Sequence, residues 1–442
     1  MIIDFTIENF RSIKEPQLFS LHAETPKQHL AGYAAYPAGD KIGVLRSAGI
    51  YGANASGKSN VLLAFRALRY IACESGDLKA GAPIPCYEPF RLSAATRSAP
   101  VRFEIEFFNT DKLRYVYSVA FNDKRILEEA LDYFPTRQKA NLFTRRENDT
   151  WETIAFGGRY KGGVKRIPFF GNNSYLAKAG ENAGAAELIR SVYQYLRGNL
   201  IVLDLQATFD YGGFFDSDKD IDFAATFLSH VDTGIVAVEK RINDKPIESE
   251  FIKAMPKVMR ELVEKRTREQ YWFSHQTEEG GVEKFPQEWE SDGTQRLFYF
   301  LPMLEAIFGS GGVLILDEIE KSLHPHIVEM IIHMFNDPGV NTHNAQLIFS
   351  THSMGLMASD KMRRDQIWFA DKKDGKTTLY SLDEFDKNKV KSNSPFPGWY
   401  NDGRFDAVPQ IDLLAIANLL RPKSDNSTGT AEGDHIAEDL DA

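Results

Sequence analysis

Gly52-Ala53-Asn54-Ala55-Ser56-Gly57-Lys58-Ser59 matches G-x-x-x-x-G-K-[ST], and it does so in the one setting where that pattern carries meaning. The apolar stretch Ala48-Gly49-Ile50-Tyr51 precedes it, and a helical pattern from Asn60 to Ile71 follows. Strand, loop and helix in that order form a cradle for phosphates. Gly52 and Gly57 let the backbone turn so that successive N–H groups and the helix N-terminus face an anion. Asn54, Ala55, Ser56, Gly57 and Asn60 are therefore expected to line the nucleotide. Lys58 is expected to reach its β- and γ-phosphates, and the Ser59 hydroxyl to ligate Mg²⁺.

Further along the chain, Val313-Leu314-Ile315-Leu316 is a short, unbroken apolar run, as expected of a parallel strand buried on both faces. Asp317 and Glu318 follow it directly, at the end where open α/β sheets place their ligands. An acidic pair at a strand end is commonly just solvated. Beside a phosphate loop, Asp317 is expected to hold Mg²⁺, directly or through water, and Glu318 to polarise the attacking water. A second strand, Ala345 to Phe349, ends in Ser350-Thr351-His352-Ser353. A lone histidine is usually structural, but His352 at this position can hydrogen-bond a γ-phosphate. Ser291-Asp292-Gly293-Thr294-Gln295 precedes the helical pattern Leu297, Phe298, Phe300, Leu301, Leu304. Its hydroxyls and amides then lie at a helix N-terminus, fit either for an anion or for an ordinary helix cap.

Together these residues resemble the ATP-binding-cassette (ABC) type of ATPase head found in SMC, RecF and OLD proteins. Ser291-Asp-Gly293-Thr-Gln295-Arg296 stands where that superfamily has its signature motif, with Asp292 and Thr294 in place of the commonest glycines. Glu318-Ile-Glu320-Lys-Ser322-Leu-His324-Pro325 is similar to its dimer loop, His352 to its switch histidine, and Ile7-Glu8-Asn9-Phe10-Arg11-Ser12 to its opening. More narrowly, the set resembles bacterial AAA ATPases that include RloA-like proteins of restriction and anti-phage operons. The likeness is dense over 1–70 and 285–410 and thin between, and no glutamine loop can be placed. It implies ATP and Mg²⁺ as cofactors. It also implies that Ser291, Gly293 and Gln295 of one subunit complete the site made by Lys58 of another. A homodimer or higher even homo-oligomer, joined through an ATP sandwich, would follow.

The chain has 442 residues, 43% hydrophobic and 12% aromatic, ample for a large core and too long for one simple domain. No apolar run approaches a membrane span, and the start lacks a secretory signal, so a cytoplasmic location is expected. Two cysteines, Cys73 and Cys86, offer neither a zinc set nor a disulfide framework. A net charge of −10 does not advertise nucleic-acid binding. Local basic clusters, Arg145-Arg146, Arg159 to Arg166 and Lys361 to Arg364, leave that contact open, although charge runs are usually solvated faces.

The expected architecture is α/β: a P-loop NTPase head of the ABC type with a mixed sheet, an antiparallel layer and a helical insertion lobe. Residues 1–140 would form its first part, including an alternating run at 101–108, another at 113–121 and a third at about 127–134. Residues 141–284 show helix-like periods at 185–196, 223–230 and 251–266, and are expected to form a mainly helical lobe. Residues 285–421 would complete the head, with strands either side of Asp374-Gly375, and 422–442 are polar and acidic as in a disordered tail. The resemblance points to a sensor or regulator in anti-phage defence acting on a separate, nuclease-like effector. The alternative is a RecF- or SMC-like DNA-binding ATPase of DNA repair, and a transporter subunit is disfavoured by the RecF-type opening.

Overall fold

Val313-Leu314-Ile315-Leu316 forms the strand that its uniform apolarity predicts, because both of its faces are covered. Val313 and Ile315 join one buried cluster, while Leu314 and Leu316 join another. The same two-residue alternation splits the neighbouring strand, where Ile348 faces the first core and Leu347 and Phe349 the second. The computed structural model describes residues 1–24, 30–39, 42–203, 215, 217–231, 233–242, 269–321, 323–391, 393–409 and 412–420.

The strands in chain order are β1 (Ile2–Glu8), β2 (Gln17–Ser20), β3 (Ala34–Ala35), β4 (Val44–Leu45), β5 (Ser47–Tyr51), β6 (Val101–Phe108), β7 (Arg114–Phe121), β8 (Ile126–Phe134), β9 (Ala140–Arg146), β10 (Ala155–Phe156), β11 (Leu200–Leu203), β12 (Ile235–Ile242), β13 (Glu269–Gln276), β14 (Val282–Pro286), β15 (Val313–Leu316), β16 (Gln346–Ser350), β17 (Ile367–Lys373) and β18 (Lys376–Ser381). The helices used below are α1 (Lys58–Arg69), α2 (Tyr175–Gly180), α3 (Glu187–Gln194), α4 (Asp218–Ser229), α5 (Asp292–Ser310) and α6 (Pro325–Asn336).

Six strands form the central sheet in the order β11-β15-β16-β5-β17-β18, parallel except for the final β17–β18 hairpin. A seven-stranded antiparallel sheet, β10-β9-β8-β7-β6-β1-β2, forms the second layer. Helix α1 contributes Val61, Leu62, Phe65 and Leu68 to the core shared with that layer, where Phe65 lies 4.2 Å from Phe5 between ring centroids. Helices α5 and α6 contribute to the other core, with Leu301, Leu304, Ile331 and Phe335. A mixed sheet under an antiparallel layer is the P-loop fold of an ABC-type ATPase head. The chain divides into the unit Met1–Val408, which carries all of this, and a second unit, Pro409–Ala442, in which a helix spans Leu413–Leu420.

Residues 141–284 are more mixed than their helical periods led one to expect. The periods at 185–196 and 223–230 do become α3 and α4, whereas that at 251–266 lies outside the described residues. Strands β9 and β10 extend the antiparallel layer, β11 joins the central sheet beside β15, and β12-β13-β14 make a separate three-stranded sheet. These strands are short or carry polar side chains on an open face, so no long apolar alternation marks them. Glu129 anchors α2 on the antiparallel layer, accepting from the N–H groups of Tyr175 (2.7 Å) and Leu176 (3.0 Å) and from the Tyr117 hydroxyl (3.1 Å). Cys73 is buried and Cys86 half-buried, both are free thiols, and burial pushes each up to about 12.

Candidate active site

Strand β5 delivers the phosphate loop and α1 leaves it, so the loop lies at the carboxyl edge of the central sheet. Two glycines are required there. A Cβ on Gly52 (φ 153°) would sit 2.3 Å from the Ala370 carbonyl oxygen, and one on Gly57 (φ 108°) would sit 2.1 Å from Thr377 Oγ1. Ala55 also has a left-handed backbone (φ 60°), and Ser56 Oγ is buried without a hydrogen-bond partner, as a loop shaped for a ligand allows. Lys58 is buried and donates from Nζ to the carbonyls of Gly52 (2.9 Å) and Ala53 (3.0 Å). Burial lowers its pKa, while the carboxylates of Asp317, Glu318 and Glu320 oppose the shift. The lysine and the acidic residues thus share one electrostatic environment.

Strand β16 lies between β5 and β15 and brings the acidic pair and the histidine to the same edge. Its last residue, Ser350, ties the pair together: the hydroxyl donates to Asp317 Oδ1 and accepts from the Glu318 N–H at 2.8 Å. Glu318 itself has φ 50°, a left-handed conformation that costs an ordinary residue roughly 1–3 kcal/mol and is usual at functional sites. The bond to Ser350 helps hold that turn. One turn further, Glu320 Oε1 accepts from the His352 N–H at 2.6 Å, which fixes the start of the loop carrying the exposed His352 side chain. A donor set of one carboxylate, Asp317, and one hydroxyl, Ser59, suits magnesium. That ion keeps several waters and takes oxygens from phosphate. Among the described residues no group of three or more His, Cys, Asp and Glu side chains is placed to hold a metal unaided.

Behind the loop, β18 acts as a brace. Thr377 Oγ1 donates to the Ser56 carbonyl (2.7 Å) and lies 2.7 Å from Ser12 Oγ, which in turn accepts from Asn60 Nδ2 (2.6 Å). Removing the Thr377 hydroxyl leaves buried partners unsatisfied, at a cost of about 1–3 kcal/mol. Thr377→Val is therefore expected to lower stability by that amount in denaturant unfolding and to weaken ATP binding in calorimetry, whereas Thr377→Ser should retain both. Wild-type ATP affinity in Thr377→Val would show that the brace does not shape the loop. Beside α1, Arg11, Asn60, Glu88, Phe90, Arg91 and Lys372 line a cleft of about 430 Å³.

The signature residues stand at the start of α5, where Arg296 Nη1 donates to the Lys321 carbonyl at 3.2 Å, three residues past Glu318. Ser291 is the exposed N-cap of α5, accepting from the Thr294 N–H at 3.1 Å. Gln295 donates to the Glu290 carbonyl at 2.9 Å and accepts from Gln287 at 3.2 Å. Ser291 is therefore presented outward on a helix N-terminus, whereas Gly293 and Gln295 are half-buried and the Gln295 amide is turned back onto its own segment. Lys58, Asp317 and Glu318 share one neighbourhood, and His352 follows the adjacent strand with its N–H held by Glu320. Reading the sequence had not singled out Ser350 or Thr377, nor Glu320 as part of the site. Glu320, inside the dimer-loop motif, and Ser350, at the head of Ser350-Thr351-His352-Ser353, have local cues, whereas Thr377 has none.

The family described as "AAA domain, putative AbiEii toxin, Type IV TA system" matches residues 47–167 and 210–358, more than half of the chain. No curated protein matches the chain. Among solved structures, the SMC head domain from Thermotoga maritima is 11% identical with a TM-score of 0.40, covering 86% of this chain and 98% of that one. The Smc head domain with an extended coiled coil bound to the C-terminal domain of ScpA, derived from Pyrococcus furiosus, is 12% identical with a TM-score of 0.41, covering 88% and 97%. RecF–ATP, the recombination mediator of the RecFOR pathway, is 11% identical with a TM-score of 0.35, covering 86% and 99%. At such scores they add nothing to what the sheet order already establishes. With the phosphate loop and both matched segments in one head, the chain belongs to the AAA-domain family described as putative AbiEii toxins of type IV toxin–antitoxin systems.

Proposed function

We infer that this chain binds and hydrolyses Mg-ATP at the carboxyl edge of its central sheet, closes in pairs around the nucleotide, and so controls a separate effector in anti-phage defence. The observation that carries the hydrolytic part is the Ser350 bridge, which sets Asp317 and Glu318 in the electrostatic field of Lys58. Lys58 and the loop amides neutralise the phosphates. Glu318, with its carboxylate partly exposed, accepts the proton of the attacking water, and His352 donates toward the γ-phosphate. Ser59 and Asp317 would hold a magnesium ion, which would supply positive charge to the phosphate oxygens. The cleft beside α1 accommodates the base and ribose.

Pairing is supported by the exposure of Ser291 at the head of the signature. Ser291→Arg should still bind ATP while losing hydrolysis. Mixed with Lys58→Ala subunits it should regain part of the activity, because the two lesions then fall in different composite sites. Absence of recovery at every mixing ratio would contradict the sandwich. The regulatory part rests on the RloA-like resemblance and on the toxin–antitoxin description of the family. It predicts a cytoplasmic assembly with a nuclease-like partner. Strong, salt-dependent binding to duplex DNA by the chain alone would instead favour the repair reading.

A further inference from the structure

The segment that leads into the signature, β14 and the turns on either side of it, is rich in acidic residues. Between Glu278 and Asp292 stand six carboxylates, Glu278, Glu279, Glu283, Glu288, Glu290 and Asp292, against one lysine, Lys284. Lys284 is already paired with Glu239. In the middle of this acidic surface Trp289 is 73% exposed, with its ring stacked on Phe285 (5.6 Å between centroids, 26° between planes). An exposed tryptophan set rigidly on a second aromatic ring is the kind of anchor that interfaces use. The lobe is also tied to the signature. His275 on β13 lies 2.7 Å from Glu290, and Gln287 bonds to both Gln295 and the Tyr299 hydroxyl. Wherever Ser291 goes, Trp289 goes with it.

The phosphate-loop side carries the opposite charge. Arg11, Arg91 and Lys372 stand around the cleft of about 430 Å³ beside α1, with Leu92 and the buried Phe90 supplying apolar wall; Glu88, its one acid, is paired with Arg11, so Arg91 and Lys372 are the cations the cleft presents. Arg91, Leu92 and Lys372 are exposed. The two surfaces are therefore opposite in charge, and a two-fold dimer would bring each onto the other twice.

We propose that the acidic lobe around Trp289 of one copy seats on the basic cleft beside the phosphate loop of a second copy, with Trp289 closing over the nucleotide held there. The proposal rests on the sandwich reading above and gives it a recognition surface: opposite charge steers the two copies together and fixes their orientation, and the aromatic ring covers the bound base. ATP binding and dimerisation would then be coupled, because the ring has a complete partner only when the cleft is filled.

The test uses the full chain carrying Glu318→Gln, with Mg-ATP, and reads dimer affinity by sedimentation. Glu288→Lys and Arg91→Glu, each alone, are expected to weaken the dimer at least tenfold, and the wild-type-surface dimer to weaken as salt is raised. An equimolar mixture of the two variants should recover most of the affinity. In that heterodimer one contact pairs the two substituted positions with their charges exchanged, and the other pairs the native Glu288 with the native Arg91. Mg-ATP should also blue-shift tryptophan emission, and Trp289→Phe should abolish that shift while leaving the other four tryptophans in place. A dimer that forms with wild-type affinity in both charge variants, or a mixture that recovers nothing, overturns this interface while leaving the sandwich standing. No dimer in Glu318→Gln itself overturns both.

Discussion

Lys58→Ala is expected to abolish measurable ATP binding while leaving the head folded. The ammonium group is buried at the base of the loop and held by two loop carbonyls, Gly52 and Ala53. Its donors are thus pre-positioned where the β- and γ-phosphates would lie. A hydrogen bond to a charged group contributes about 1.5–3 kcal/mol, and two such contacts correspond to a loss of at least about a hundredfold in affinity. Folding should tolerate the change, because burial disfavours this charge and lowers its pKa. Calorimetric titration with Mg-ATP decides the matter, with circular dichroism as the control for folding. Retained nanomolar or micromolar affinity would remove Lys58 from the site.

Glu318→Gln is expected to separate binding from turnover. Glutamine preserves the shape of the side chain and can keep the backbone bond to Ser350, so the loop and its left-handed turn at 318 should persist. What it lacks is a basic oxygen. General-base assistance is typically a factor of about 10²–10⁴, so single-turnover hydrolysis should fall by at least about a hundredfold while the Kd for ATP changes little. Wild-type turnover in this variant would mean that another group activates the water. Glu320 is the nearest structural alternative, but it is engaged with the His352 N–H.

Much of the site was legible because its parts announce themselves locally. Gly52 and Gly57 are spaced for a loop that only glycine can form, and the structure shows what each Cβ would strike. Val313 to Leu316 read as a doubly buried strand, and its alternation between two cores explains why no polar residue interrupts it. Other parts depend on strand order, which no short stretch encodes. Ser350 matters because β16 lies between β5 and β15, and Thr377 because β18 returns behind the phosphate loop from far along the chain. The middle segment was misjudged for a similar reason. Strand β11 is a four-residue strand whose partner is β15, more than a hundred residues away, and β12 to β14 expose polar side chains on one face. Helical periods dominate such a segment until its strands find distant partners.

In the proposed sandwich, ATP joins two copies of this head through Ser291 of one and Lys58 of the other. The most direct test is the solution mass of Glu318→Gln with and without Mg-ATP. A monomer, or a smaller even assembly, is expected to double in mass on adding Mg-ATP and to stay at its original mass when Lys58→Ala is also introduced. An unchanged mass in saturating Mg-ATP, with nucleotide bound, would contradict it.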